Sequence, residues 1–355
     1  MQVTQISKYT INHIPYSFAE LTAWCQNMQD AQEPEWLKQV AAFILDWLSE
    51  ADFMVAKTSG STGEPKTIHL HKAYVRASAL KTIAYFHLKP ADTILLALPV
   101  RYIAGKLQII RALEGGLDLI LEEPSSQPLE YSAEAIDFAA FTPQQTWGAL
   151  RQLPQVKKLI VGGGAISKSL EDQLQNQPTA VYATYGMTET ITHVAVRSVN
   201  QPPTDYYQAL AGVVLSADAS GCLVIDAPHL GVKHMATNDV VEMVASDQFR
   251  FLGRKDQVIN SGGIKIFPER IEQKLSPHIE QPFFISSLPD EALGEKVILV
   301  VEATHNERKE NAFLQQCQTH LDPYERPKAV FFVHSFVQTE TGKLNRIKTV
   351  EKALE

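Results

Sequence analysis

Cysteine is scarce in this chain of 355 residues: Cys25, Cys222 and Cys317 stand far apart, and no two of them form a Cys-x-x-Cys pair. That scarcity excludes a disulfide framework and a paired-cysteine zinc site, and it fits a reducing compartment. Long apolar runs are missing as well. No stretch approaches the roughly 18 uninterrupted apolar residues of a membrane span, and the opening residues hold no basic segment followed by an apolar one. The expectation is a soluble, cytoplasmic protein without integral membrane association. Positive charge is in deficit, with 32 Lys and Arg against 40 Asp and Glu and a formal net charge of −8. A field of that sign does not attract nucleic acid, so the expected partners are small molecules or proteins, a homodimer included. Internal repeats and low-complexity segments are absent too, and 45% apolar with 20% charged residues is an ordinary globular composition.

What is present is length and alternation. At about 150 residues per domain there is room for two domains. From Glu35 to Glu50 the residues Trp36, Val40, Phe43, Ile44, Trp47 and Leu48 recur at spacings of three and four, which places them on one helical face. Beyond Ala51 apolar strands (53–58, 66–70, 94–98, 117–121, 137–141, 156–161, 180–185) alternate with helical stretches (71–86, 105–114, a helix opening at Pro143, 167–176). That order predicts an α/β fold: a large N-terminal body with a mostly parallel sheet covered by helices. After Gly186 the strands shorten, which predicts a small antiparallel subdomain closing near residue 255. The rest reads as a small α+β unit, with helices after Pro268 and over 308–320. The expected domains are 1–255 and 256–355.

Five segments carry candidate chemistry. In Thr58-Ser59-Gly60-Ser61-Thr62-Gly63-Glu64-Pro65-Lys66, two glycines let backbone N–H groups turn inward around an anion, and hydroxyls and Lys66 add donors and charge. Walker spacing is not met, since Pro65 stands five residues after Gly60 and the loop leads into a strand pattern. An ordinary turn is the plainer reading of such a run. Gly162-Gly163-Gly164 follows a strand and precedes a helix, but the third fingerprint position is Ser167 and no acidic residue ends the next strand, which disfavours a dinucleotide site. Thr184-Tyr185-Gly186-Met187-Thr188-Glu189-Thr190 lies at a strand's carboxyl end, where open sheets place ligands. There Tyr185 offers an aromatic face, Thr188 a hydroxyl and Glu189 a carboxylate for Mg²⁺ shared with phosphate oxygens. The fourth segment runs from Phe251 to Lys265 across the expected boundary, and the fifth is Thr339-Glu340-Thr341-Gly342-Lys343-Leu344-Asn345-Arg346.

Taken together and in this order, the five segments resemble the adenylate-forming superfamily of acyl-CoA synthetases, adenylation domains and luciferase-like ligases. The resemblance implies an enzyme with a large N-terminal body and a mobile C-terminal domain. Such an enzyme joins ATP and a carboxylate into an acyl-adenylate and then passes the acyl group to a thiol, with Mg²⁺ as cofactor and coenzyme A as co-substrate. By motif position it assigns Thr58 to Lys66 to the phosphates, Gly162 to Gly164 to the backbone beside adenine and acyl group, and Tyr185 and Gly186 to adenine. Thr188 falls at the α-phosphate and Glu189 at the metal. Asp239 and Arg254 become the ribose contacts, Asp256 the hinge and Lys343 the lysine at the reacting carboxylate. Gly262, Gly263 and Lys265 fall to coenzyme A.

Three departures stand out, length the largest. Asn238 precedes Asp239 where members more often have glycine, and Leu98-Pro99-Val100 is followed by Arg101-Tyr102 where many carry an aromatic-His pair. Only 57 residues precede the phosphate loop, so part of the usual N-terminal subdomain is expected to be missing. Compact members of this kind are similar to o-succinylbenzoate-CoA ligases of menaquinone biosynthesis. A diacid needs a second anchor in the acyl pocket, for which Arg101, Lys106 and His193 are the candidates. Another acyl-CoA ligase, a carrier-protein adenylation enzyme and a non-catalytic nucleotide-binding protein are the alternatives.

Overall fold

The structure, a computed structural model, describes residues 8–30, 32–57, 67–130, 134–338 and 344–355. It opens with a hairpin of β1 (Tyr9–Ile11) and β2 (Ile14–Tyr16), then α1 (Phe18–Asp30) and α2 (Glu35–Leu48). As its periodicity predicts, α2 buries Val40, Phe43, Ile44 and Trp47. A separate antiparallel pair follows, β3 (Phe53–Lys57) and β4 (Thr67–His71), with Lys57 opposite Thr67. The phosphate-loop residues Thr58, Ser59, Gly60, Ser61, Thr62, Gly63 and Lys66 lie outside the described residues.

Next come α3 (Lys72–Tyr85), β5 (Thr93–Leu96), α4 (Ile103–Gly115), β6 (Asp118–Leu121), β7 (Ile136–Phe141), α5 (Pro143–Gly148), β8 (Val156–Val161), α6 (Lys168–Leu174) and β9 (Ala180–Gly186). Helix α4 stops where Gly116 takes up the left-handed region at φ 62° and its N–H bonds Ala112 O. Strands β6-β5-β7-β8-β9 are neighbours in that order and parallel throughout. Consecutive residues point to opposite faces of a strand, so Ile94, Leu96 and Phe138 enter one core while Leu95, Ala139 and Phe141 enter another. Burial on both faces is why the central runs of these strands, such as Ile94–Leu96, Leu119–Leu121, Phe138–Phe141 and Leu159–Val161, are apolar without alternation.

Strands β10 (His193–Ser198), β11 (Tyr207–Ala209), β12 (Val214–Ala217), β13 (Cys222–Ala227), β14 (Val232–Ala245) and β15 (Gln248–Arg254) are antiparallel. They extend the body's own sheet, in the order β9-β10-β11-β15-β14-β13-β12, and do not form a sheet of their own. The reason is the short return from Gly186 to His193, which allows only an antiparallel neighbour on the open edge of β9.

Beyond Arg254 a second sheet begins. It is built from β16 (Ile259–Ser261), β17 (Ile264–Ile266), α7 (Pro268–Leu275), β18 (Phe283–Asp290), β19 (Gly294–Glu302), α8 (Glu307–His320), β20 (Ala329–Val333) and α9 (Arg346–Leu354). Strand β19 pairs antiparallel with β18 and β16 and parallel with β20. The three cysteines are buried and free, and among the described residues no helix is long and apolar enough to cross a membrane.

Candidate nucleotide and acyl site

The site grows from the carboxyl ends of β7, β8 and β9, where the helix dipoles and free backbone groups of an open α/β sheet converge. Gly162 donates its N–H to Phe141 O at 3.0 Å, and a Cβ added to it would lie 2.6 Å from Thr184 Oγ1. Only glycine therefore fits beside that threonine. Gly163, at φ 81°, has nothing within 4 Å of an added Cβ, and Gly164 meets only Pro143, at 3.7 Å. Their backbone faces open space and lets a flat ligand come close.

Tyr185, at the end of β9, donates its hydroxyl to Asp239 Oδ2 at 2.5 Å. Its ring meets Phe249 edge-on at 5.0 Å and Tyr207 at 5.9 Å. Burial, then the Asp239 carboxylate, push the phenol well above its ordinary range, so the hydroxyl stays a donor. Arg254 is the register partner of Asp239 across β14 and β15. Its Nε lies 3.7 Å from Asp239 Oδ1, while Nε and a terminal nitrogen grip Asp256 at 3.2 and 3.3 Å. Pairing within one sheet thus gathers Tyr185, Asp239, Arg254 and Asp256 from distant stretches of sequence. The result is an aromatic wall, a buried carboxylate able to accept vicinal hydroxyls, and a cation beside it.

The return from β9 to β10 is tight. A Cβ on Gly186 would stand 2.3 Å from Thr192 O, which excludes any other residue there. Thr188–Thr190 form one 3₁₀ turn, and Ile191 follows at φ 68°, a strained conformation for a β-branched side chain. Glu189 is exposed and has no hydrogen bond or ion pair among the described residues. No group of three or more metal-type side chains exists among them either. A lone carboxylate suits Mg²⁺, which is held by one or two protein oxygens together with phosphates and water.

Behind this loop lies a pair of buried groups that sequence reading finds only in part. Arg111, from α4, is 2% exposed and has no carboxylate partner among the described residues. One of its terminal nitrogens donates to Gln108 Oε1 at 2.6 Å and the other to Thr192 Oγ1 at 3.2 Å, while Nε is unpartnered. Burial lowers its pKa to about 9, which still leaves it cationic near neutral pH. Thr192 Oγ1 also lies 3.2 Å from Nδ1 of His193. Burial, followed by the Arg111 charge, lowers His193 to about 3, so the ring is neutral. Arg111 can only donate to that hydroxyl, the direction of the Thr192–His193 bond follows the ring's tautomer, and the ring's other nitrogen is Nε2. That atom is buried and unpartnered. Arg111 Nε can only donate, so the buried guanidinium keeps an N–H that an acceptor-only anion such as a carboxylate would satisfy. The signal for Arg111 is a charged residue, three places after Gln108, inside the apolar run from Leu107 to Leu113.

The profile of the family described as AMP-binding enzyme matches residues 18–233. The chain belongs to the AMP-binding enzyme family. It is 27% identical over 284 residues to the 2-succinylbenzoate–CoA ligase of Salmonella typhimurium strain LT2, which covers 75% of this chain and 61% of that one. The chain therefore spans about three-fifths of that relative's length. An acyl-CoA synthetase (AMP-forming)/AMP-acid ligase II-like protein from Dyadobacter fermentans is 33% identical and superposes with a TM-score of 0.63 over 94% of this chain and 98% of its own. The fold is also that of O-succinylbenzoate coenzyme A synthetase from Bacillus subtilis in complex with ATP and magnesium ion, with a TM-score of 0.77 at 15% identity over 98% of this chain and 97% of that chain.

The other residues expected to serve an AMP-binding enzyme are spread more widely. Arg101 stacks on Tyr102 at 4.9 Å and lines a shallow cleft with Trp36, Gln39, Pro99, Glu123 and Pro124, none of which belongs to the Tyr185–Asp239 constellation. Lys106 turns toward the β3–β4 pair, donating to Val55 O at 2.7 Å and lying over the Phe43 ring. Of the three expected acyl anchors, His193 alone stands with Arg111. Gly262 and Gly263 form the β16–β17 turn at φ 58° and 81°, and Lys265 is exposed on β17. Lys343 lies outside the described residues.

Proposed function

We propose that the protein is an ATP-dependent, AMP-forming carboxylate–CoA ligase and that its acid is o-succinylbenzoate. The observation that carries this reading is the double use of the loop from Gly186 to His193. The loop and the strand end before it offer Glu189 and Tyr185 to a nucleotide, and Thr192 on the inner side holds a buried guanidinium with no carboxylate partner among the described residues. A monoacid leaves that cation idle. A diacid adenylated at one carboxylate brings the other to it. The names of the relatives support the same acid.

In the first half-reaction Asp239 and Arg254 receive the ribose, Tyr185 flanks the base, and Glu189 would hold Mg²⁺, which would neutralise phosphate charge. Lys66 and Lys343 add positive charge where a carboxylate must approach a negative α-phosphate, and Thr188 donates at that phosphate. A carboxylate oxygen bonds to the α-phosphorus, the bond to the bridging oxygen breaks, and pyrophosphate leaves with the electron pair. In the second half-reaction the thiolate sulfur of coenzyme A bonds to the acyl carbon and AMP leaves. Gly262 and Gly263 give backbone room for the pantetheine arm, and Lys265 offers a phosphate partner. The unit 256–355 turns about Asp256 between the two steps, so that Lys343 withdraws before the thiol arrives.

The test is pyrophosphate release with o-succinylbenzoate, ATP and Mg²⁺, followed by mass spectrometry of the coenzyme A product. A panel of monoacids and a carrier-protein acceptor run alongside. Preferential release with the diacid and an o-succinylbenzoyl-CoA mass are expected. Equal release with monoacids, or transfer to carrier protein alone, would sink the reading.

A further inference from the structure

We propose that Glu269 is a positioning residue that latches the unit following the 255–257 turn onto the last strand of the body in one orientation, and so sets the division between the two half-reactions. This rests on the ligase reading above. Glu269 stands in the first turn of α7, yet its Oε1 accepts the N–H of Arg254, the final residue of β15, at 3.2 Å. Its Oε2 is buried and has no hydrogen-bond partner. A half-satisfied buried carboxylate is costly, and the packing of α7 does not call for one, because Pro268, Ile271 and Leu275 supply the helix's buried side. The other acid of α7's inner side, Glu272, turns back into its own unit, where it takes the fork of Arg346 and the N–H of Ile285 at 2.8 Å. Glu269 alone of the two reaches across.

The residue it grips is the one whose guanidinium spans Asp239 and Asp256. Gly253 leaves the room for it: a Cβ there would lie 2.6 Å from Glu269 Oε2 and 3.2 Å from Phe267 Cδ1. Because pairing with β14 fixes Arg254 in the body's sheet, turning the unit about residues 255–258 carries Glu269 away from that N–H. The bond belongs to this orientation and is lost in another.

The test uses the full chain with Glu269→Ala and Glu269→Gln. Pyrophosphate release and thioester formation from supplied acyl-adenylate are measured separately. Spin-label distances are taken between Ser216→Cys and Arg308→Cys, both exposed sites in a protein whose own cysteines are buried. Glu269→Ala is expected to change the ratio of the two half-reaction rates by about tenfold, as for loss of one charge-assisted hydrogen bond, and to broaden the distance distribution toward a second population. Glu269→Gln, whose amide oxygen can accept the same N–H, is expected to stay close to wild type in both readouts. Should Glu269→Ala fail to fold, Glu269→Asp carries the same prediction, because its carboxylate is one methylene too short to reach the Arg254 N–H. A folded variant in which both half-reactions fall equally, or in which the distances are unchanged, overturns the latch. A wild type that activates no acid would instead overturn the ligase reading, and the label distances would still decide the latch.

Discussion

At the scale of single residues, the decisive group is Arg111, a buried cation with no carboxylate partner among the described residues. An isolated charge in a protein interior is expensive unless a ligand completes it. Arg111→Leu keeps volume and removes the charge, so it is expected to raise the KM for o-succinylbenzoate by about 10- to 150-fold, the range for a charge-assisted hydrogen bond. The KM for ATP should not move, because Tyr185 and Asp239 are untouched. Pyrophosphate-release kinetics with a diacid and a matched monoacid check this; an equal loss for both acids would remove Arg111 from substrate recognition. Of the three anchors expected for a diacid, His193 has Arg111 as its neighbour across the loop, while Lys106 reaches the β3–β4 pair and Arg101 the surface. The roles expected of Tyr185, Asp239 and Arg254 come from the resemblance carried by their motifs, and the structure places the three together. Arg111 is less legible, because a lone arginine on a helix is ordinarily solvated and only packing shows that this one is not.

At the scale of elements, caps and close approaches hold the site's walls. Lys72, the first residue of α3, sends its ammonium to the carboxyl end of α2, donating to Asp46 O at 2.6 Å, Trp47 O at 3.1 Å and Ser49 O at 3.0 Å. It thus satisfies carbonyls that the helix end leaves open and places a cation at the negative end of its dipole. Lys72→Met is expected to lower stability by about 1–3 kcal/mol, read as a reduced urea midpoint with unchanged slope, while kcat and KM stay as in wild type. A loss of activity without loss of stability would contradict a capping role. The boundaries of α2 and α4 follow from periodicity and from Gly115-Gly116 in the sequence. This cross-element cap does not, since it joins two helices separated by the β3–β4 pair.

At the scale of the whole molecule, two histidines tilt stability against pH in opposite senses. His193 is held near 3 in the folded protein, by burial and then by Arg111, against an ordinary 6.5 once unfolded. Between those values the unfolded chain binds the extra proton, so stability falls as pH drops from about 6.5 toward 3 and is unaffected by this group above 6.5. His13 is raised, first by Asp118, and bridges that carboxylate at 2.7 Å and Glu134 at 2.6 Å. Its contribution is full below 6.5 and fades as pH rises through its raised value; being exposed, it is the weaker of the two. His193→Gln is therefore expected to reduce the loss in urea midpoint between pH 7 and pH 5. A variant that loses as much as wild type over that interval would show that the buried ring does not govern the acid limb.

Local sequence determines a good deal here. Apolar runs between glycines and prolines specify strands buried on both faces, 3.6-residue periodicity specifies the helices that cover them, and five short motifs in order carry the resemblance to a nucleotide-handling family. These are properties of neighbouring residues, governed by backbone sterics and side-chain alternation. What only the tertiary structure decided is adjacency across long separations. The antiparallel strands continue the sheet of the body because the return after Gly186 is too short for anything else. Asp239 meets Tyr185 because β14 and β9 belong to one sheet, and Arg111 meets Thr192 because α4 packs behind the β9–β10 return. Glu269 meets Arg254 because α7 folds back on β15. Contacts of that kind depend on how whole layers stack, and no local pattern encodes them.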